Sequence, residues 1–256
     1  MLRARLPSEP LARLLPAGEA IFLHRPHGLP CHGITREVVA DFDRLSRTVL
    51  RNRDSHRYAV PPGFTFVTYS NRPRKSLIER CYEAYGIDGA VVLGREVARW
   101  DWAVKVRLVL EYLDSGACAT PYLLATDADD VLLVRDPQPL LDRFLSYSCD
   151  ILFCNTFVDW PPNRRYRDFE TLRYYAYPFH CHLSAGGLVA EKGALASRLR
   201  EILAAHERRE PWALVGDVFD DQLGWRHLHH EHYPAIQVDC ACRVFKRYDL
   251  FRDVEE

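Results

Sequence analysis

The chain has 256 residues, with 34 Lys+Arg against 35 Asp+Glu and a formal net charge of -1, a balance that excludes a broadly nucleic-acid-binding surface. Hydrophobic residues make up 48% and charged residues 27%, an ordinary globular composition that excludes disorder as the default, and a chain of this size buries about 70–75% of its unfolded surface. No Gly/Ser linker or shift of composition divides the middle, so one large α/β domain is expected.

No run approaches the roughly 20 apolar residues of a membrane span. The opening MLRARLPSEPLARLLPAGEA has arginines but no continuous apolar core of the signal-peptide kind. A soluble, cytoplasmic protein is the expectation. The eight cysteines are scattered from Cys31 to Cys242, several inside apolar runs, which reads as buried free thiols. Cys240 and Cys242 lack the CxxC spacing and the second pair of a structural zinc site.

Residues 1–62 read as an N-terminal extension around one helix that packs on the main body, because Val38, Phe42, Leu45 and Val49 recur at helical spacing. From residue 63 the chain alternates. FTFVTY at 64–69 is a buried strand; Leu77, Cys81 and Tyr85 mark a short helix ending near Gly86; residues 90–93 form a second strand. Val106, Val109, Leu110 and Leu113 continue a helical stripe from Trp102, and residues 122–125 form a third strand. Strand and helix in alternation imply parallel pairing and an open sheet whose ligands sit at the carboxyl ends of the strands.

A helix near 139–145 and a strand at 150–154 follow, then a polar, aromatic segment at 155–182 that reads as a long functional loop or lid. A helix at 192–206, a helical stretch carrying Asp220-Asp221-Gln222 and a strand at 236–239 complete the series.

Chemistry concentrates at Asp127, Asp129 and Asp130, directly after the third strand. Three carboxylates in four residues repel one another unless a cation or donors offset the cost. Asp127 with Asp129, or Asp129 with water, would suit Mg²⁺ or Mn²⁺ shared with a diphosphate. The alternative is an exposed acidic turn between strands.

PYLLATDADDVLLVRDP, with FTFVTYSN before it and LSAGGLVAEKGAL and FDDQLGW after it, resembles the glycosyltransferases of the GT-A fold, and among them the glycosyltransferase domain of lysyl hydroxylases and the procollagen sugar transferases. The likeness runs from about residue 64 to 245. It implies a mostly parallel central sheet flanked by helices over residues 63–256, and a metal-dependent transfer of a hexose from a UDP-sugar to an acceptor hydroxyl on a peptide, small molecule or glycan.

Carried over by residue, the resemblance gives Thr68, Tyr69 and Ser70 to the uridine, Asp127 and Asp129 to the metal with Asp130 as a close alternative, and Lys105 to the donor's phosphates or sugar. Lys105 also reads as a solvated helix lysine. Ser184, Ala185, Gly186 and Gly187 match the segment against which the donor sugar lies, where a residue without Cβ lets a ligand approach the backbone; a tight strand bend would use the same glycines. Asp220, Asp221 and Gln222 match the family's DDQ at the reacting end. One of the two aspartates is the candidate general base, or they cap the following helix.

The likeness breaks at the C-terminus. The family supplies a histidine ligand after the last strand, whereas FKRYDLFRDVEE has none; Asp239 or Asp249 could substitute. The cluster His227, His229, His230 and His232 lacks HExxH order and reads as surface. Trp160, Tyr166, Tyr174, Tyr175 and Tyr177 lie in the lid segment, where rings could stack on a sugar or pack the loop. Trp100, Trp102 and Trp225 read as packing residues. Two other functions compete: a nucleotidyltransferase, although SNRPRK at 70–75 has that class's charge without its glycines, and a non-catalytic nucleotide-sugar binding protein, which the missing histidine favours.

Overall fold

A computed structural model describes residues 20–24, 36–51, 57–178 and 180–248. In chain order the elements are β1 (Phe22–His24), α1 (Arg36–Arg51), β2 (Phe64–Tyr69), α2 (Leu77–Tyr85), β3 (Val91–Leu93), α3 (Trp102–Asp114), β4 (Tyr122–Thr126), β5 (Val131–Leu133), α4 (Leu140–Leu145), β6 (Ile151–Thr156), α5 (Arg164–Arg173), β7 (His182–Glu191), α6 (Lys192–Glu207), β8 (Leu214–Val215), β9 (Val218–Phe219), α7 (Asp221–Glu231), β10 (Ile236–Val238) and β11 (Phe245–Arg247).

The molecule is a mixed α/β protein built on a six-stranded sheet, in the order β10-β6-β7-β4-β2-β3, flanked by helices. Its strands are apolar on both faces, as strands covered on both sides must be. Side chains alternate across the pleat: Val67, Leu123, Ala125, Phe153 and Leu188 join the core under α3, α6 and α7, while Phe66, Leu124, Leu152 and Val189 join the core under α1 and α2. Phe42, Leu45 and Val49 of α1 are buried in that second core.

β3, β2 and β4 pair in parallel, and so do β6 and β10, but β7 runs antiparallel to both its neighbours. The long strand β7 therefore brings its amino-terminal half, up to Gly187 opposite Thr126, to the sheet edge where β4 ends. A second sheet, β11-β1-β5, stands beside the first. In it β1 is parallel to β11 and antiparallel to β5.

Residues 155–182 are not one loop. Asn163 caps α5 by accepting from the Arg165 and Tyr166 amides, and Tyr166 and Glu170 form its buried face. A buried face carrying a carboxylate has no hydrophobic period to read. Seven described cysteines are free thiols; Cys31 lies outside the described residues. Among those residues, no helix is long and apolar enough to cross a membrane.

Candidate functional site

The acidic turn 127–130 follows the carboxyl end of β4 and is fixed from two sides. The Asp127 amide donates to Gly186 O (2.9 Å) and Ala128 O accepts from the Ile78 amide (3.0 Å) at the start of α2. These bonds orient the three carboxylates differently. Asp129 turns outward and pairs with Arg72. Asp127 and Asp130 face inward, and they meet His24 of β1: its Nε2 lies 3.5 Å from Asp130 Oδ2 and 3.9 Å from Asp127 Oδ2. One donor atom from each of these three residues lies within 4.8 Å of the others, and among the described residues this is the one such group of three.

His24 is buried and held by a strand bonded on both sides: Val134 N donates to Ile21 O, Phe22 N to Val244 O and Tyr248 N to His24 O. Gly186 gives its ring room. A Cβ there would sit 2.1 Å from His24 Nε2 and 3.1 Å from Asp127 Oδ2. Gly187 answers a different neighbour, since its Cβ would fall 2.9 Å from the Phe245 ring. The two glycines are thus required by side chains of the fold, and only Gly186 faces the pocket described next.

These groups open into a pocket of about 590 Å³. Four carboxylates line it, Asp127, Asp130, Asp220 and Asp221, against two permanent cations, Lys105 and Arg247. Lys105 is buried rather than solvated; its Nζ donates to Asp127 Oδ1 (2.9 Å) and Ala185 O (3.0 Å) and lies 3.4 Å from Asp221 Oδ2. Burial alone would lower the Lys105 pKa, but Asp127 and Asp221 outweigh it and raise it, so the ammonium stays charged. Burial would raise the Asp127 carboxyl; Lys105 and His24 reverse that and hold it well below the usual carboxylate range. At Asp221 burial wins over Lys105 and, with Asp127 and Asp220 adding repulsion, pushes the carboxyl up to about 6.

Asp220 caps α7, accepting from the Leu223 amide (2.7 Å). The capping alternative therefore describes Asp220, while Asp221, inside the first turn, aims at Lys105. Gln222 ties two walls together: Oε1 accepts from the Ala185 amide (3.2 Å) and Nε2 donates to Trp160 O.

Other expected residues lie elsewhere. Thr68 is buried with Oγ1 donating to Thr126 O (2.9 Å), and Tyr69 is buried with its ring centroid 5.2 Å from Lys105 Nζ. Ser70 is buried and accepts from Arg95 (3.3 Å). None of the three lines the pocket. Asp239 is no substitute ligand: its carboxylate accepts from the amides of Arg243, Val244 and Phe245 and from Tyr147. Asp249 lies outside the described residues. His229 is buried against Tyr174 rather than on the surface, bonded to its hydroxyl at 2.9 Å, and His227 stacks on Trp212; His230 and His232 are half-buried beside Glu231 and Glu201. Tyr166 and Tyr174 are buried too. Trp225 is core as expected, but Trp102 is 48% exposed and lines the pocket with Trp160.

The residues missed from sequence are His24, Trp102 and Arg247. For His24 a signal existed: Ala20-Ile21-Phe22-Leu23 is an apolar run of strand length ending on that histidine. No family model matches the chain, and no curated protein matches it.

Proposed function

We propose that the protein is a metal-dependent glycosyltransferase of the GT-A fold that moves a hexose from a UDP-sugar to an acceptor hydroxyl. The observation that carries this reading is the convergence of His24, Asp127 and Asp130 on one pocket with Lys105, which links Asp127 to Asp221. The sheet supports it as well, since the acidic turn follows a parallel strand at the edge where open α/β sheets take their ligands.

The donor set fits a divalent cation. Two carboxylates and one imidazole are a mixed oxygen and nitrogen set, which suits Mn²⁺ better than Mg²⁺, an ion that prefers oxygen. The room that Gly186 leaves for the His24 ring is what such a set needs. His24 would supply the imidazole. When bound, the cation supplies positive charge beside the departing diphosphate.

The chain's own groups do the rest. Asp127 is kept ionised by Lys105, so it remains a ligand at any physiological pH. Lys105 holds Asp127 and Asp221 in fixed relation. Asp221 is the general base: with its carboxyl near 6 it is mostly ionised at neutral pH and more basic than an ordinary aspartate, which favours removal of the acceptor's proton. Asp220 fixes the start of α7, and Gln222 sets that helix against β7.

Thermal unfolding with Mn²⁺ and UDP, paired with a UDP-release assay on UDP-hexoses, tests this reading. Ligand at about 100 times Kd stabilises the native state by ~2.7 kcal/mol. Asp130→Asn should lose both the metal-dependent shift and at least about 100-fold in turnover while its circular dichroism stays native. A wild-type shift and turnover in that variant would sink the assignment.

A further inference from the structure

Among the described residues, Arg226 is the largest side chain that the fold buries completely. Taking a guanidinium and its partner carboxylate out of water is costly, and where only cohesion is needed an apolar pair of the same volume often serves stability as well. The bonds that Arg226 makes give it a use that an apolar residue could not have.

Its nitrogens serve two different walls of the pocket. Nη1 donates to Pro161 O (2.7 Å) and Nη2 lies 2.8 Å from Asp159 Oδ1, so the chain is held on both sides of residue 160; Val158 and Trp160 belong to the pocket lining. Nε and Nη2 also donate to the two oxygens of Glu170 on α5 (3.0 and 2.7 Å). Glu170, wholly buried as well, carries this hold on to the start of β7: Oε1 accepts from the Leu183 amide (3.3 Å) and Oε2 lies 2.7 Å from His182 Nδ1. Ser184, Ala185 and Gly186 follow directly and form the second wall.

Arg226 itself stands on α7, one turn after Gln222 and on the same helix face. Gln222 ties the same two walls nearer the pocket, through the Ala185 amide and Trp160 O. Asp221 precedes it and lies 3.4 Å from Lys105, whose Nζ is in turn held by Ala185 O (3.0 Å). Arg226 does not line the pocket.

We infer that Arg226 is a positioning residue: touching no ligand, it fixes the walls at 158–160 and 184–186 relative to Asp221, so that the base meets the acceptor hydroxyl in one geometry. A lysine cannot replace it, because partners on three sides need the separate nitrogens of a planar fork. The inference takes its reaction from the glycosyltransferase reading, while the setting of the two walls is independent of it.

The test compares wild type with Arg226→Ala, Arg226→Lys and the double variant Arg226→Met with Glu170→Leu, in which an apolar pair replaces the ion pair. Urea unfolding, Mn²⁺ affinity, UDP-hexose turnover and backbone deuterium exchange are read on each. The double variant should regain most of the stability that Arg226→Ala loses and bind Mn²⁺ as wild type does, because His24, Asp127 and Asp130 stand on other elements. Its kcat should nevertheless stay at least about tenfold down with KM for the donor little changed, the pattern of lost alignment. Arg226→Lys, which carries the kinetic test if the double variant does not fold, should show the same kcat loss, with faster exchange at 157–160 and 182–187 and wild-type protection at 126–131. A kcat that returns together with stability would make Arg226 a structural residue only and overturn the inference. If wild type turns over no UDP-hexose, the transferase reading falls and exchange decides alone: selective loosening of the two walls sustains the inference, and wild-type protection there in Arg226→Lys overturns it.

Discussion

Two clusters of buried charge lie within a few residues of each other along α7, and they are built on opposite rules. Around Arg226, charges are matched: Glu170 and Asp159 face one guanidinium, and His182 Nδ1 meets Glu170 Oε2 at 2.7 Å. Around Lys105, carboxylates are in excess among the described residues, and the group opens into a pocket. A closed, matched cluster has met its desolvation cost internally and holds elements together. An open cluster with surplus negative charge among the described residues is one that a cation from outside would complete. Burial and perturbed titration mark both clusters, so neither feature alone distinguishes function from architecture.

The largest expected effect lies in the closed cluster. Arg226→Ala leaves Glu170 buried without its cation and should cost about 3–5 kcal/mol in urea unfolding. Asp130→Asn, made without metal, should change stability by less than about 1 kcal/mol, because it keeps the side chain's shape and relieves repulsion with Asp127. Equal losses would erase the distinction.

Gly186→Ala should come next. Its Cβ meets the His24 ring, so overpacking costs about 1–3 kcal/mol, and displacement of a ligand lowers Mn²⁺ affinity about 10–100-fold, the range seen when metal ligands lose their support. Gly187→Ala strikes Phe245 and should lose stability with Mn²⁺ affinity intact. Manganese titration followed by electron paramagnetic resonance separates the two.

The closed cluster should also show a pH dependence. Burial lowers the His182 pKa, but bonding to Cys181 and Glu170 outweighs it and brings it from 6.5 up to about 9. A raised folded pKa means that the contribution is complete below 6.5 and is lost as pH rises toward 9. Glu170 moves the other way: burial raises it, but His182 and Arg226 hold it below 4.5, so its contribution is present above 4.5 and fades in acid. Unfolding free energy should therefore decline by about 1–3 kcal/mol between pH 6.5 and 9, and His182→Gln should flatten that decline. A wild-type curve level across this window would remove His182 from the matched cluster.

The sequence was legible where local chemistry decides. Alternating apolar strands and helical stripes placed β2 to β4, α2, α3 and α6 to within a residue or two, because those strands are apolar on both faces and those helices end on recognisable caps and glycines. The acidic group at Asp127, Asp129 and Asp130 was legible for a similar reason, since carboxylates crowded at a strand end ask for an explanation, but the sequence put Asp129 ahead of Asp130, and the structure turns Asp129 out to Arg72. The helix α5 was hidden because its buried face holds Tyr166 and Glu170, a pattern with no hydrophobic period. The reversal of β7 was hidden too, since a strand buried on both faces reads the same whichever way it runs.

What the sequence by itself determined is β2 to β4, α2, α3 and α6 and the acidic strand end, all consequences of residues close together in the chain. Only the tertiary structure decided which carboxylates turn inward, with Asp129 drawn out to Arg72 and Asp130 drawn in beside His24. It alone brought residue 24 to residues 127, 130 and 186, through a strand pairing with β5 and β11. Contacts across a hundred residues depend on sheet order and strand direction, and no spacing within a single segment encodes either.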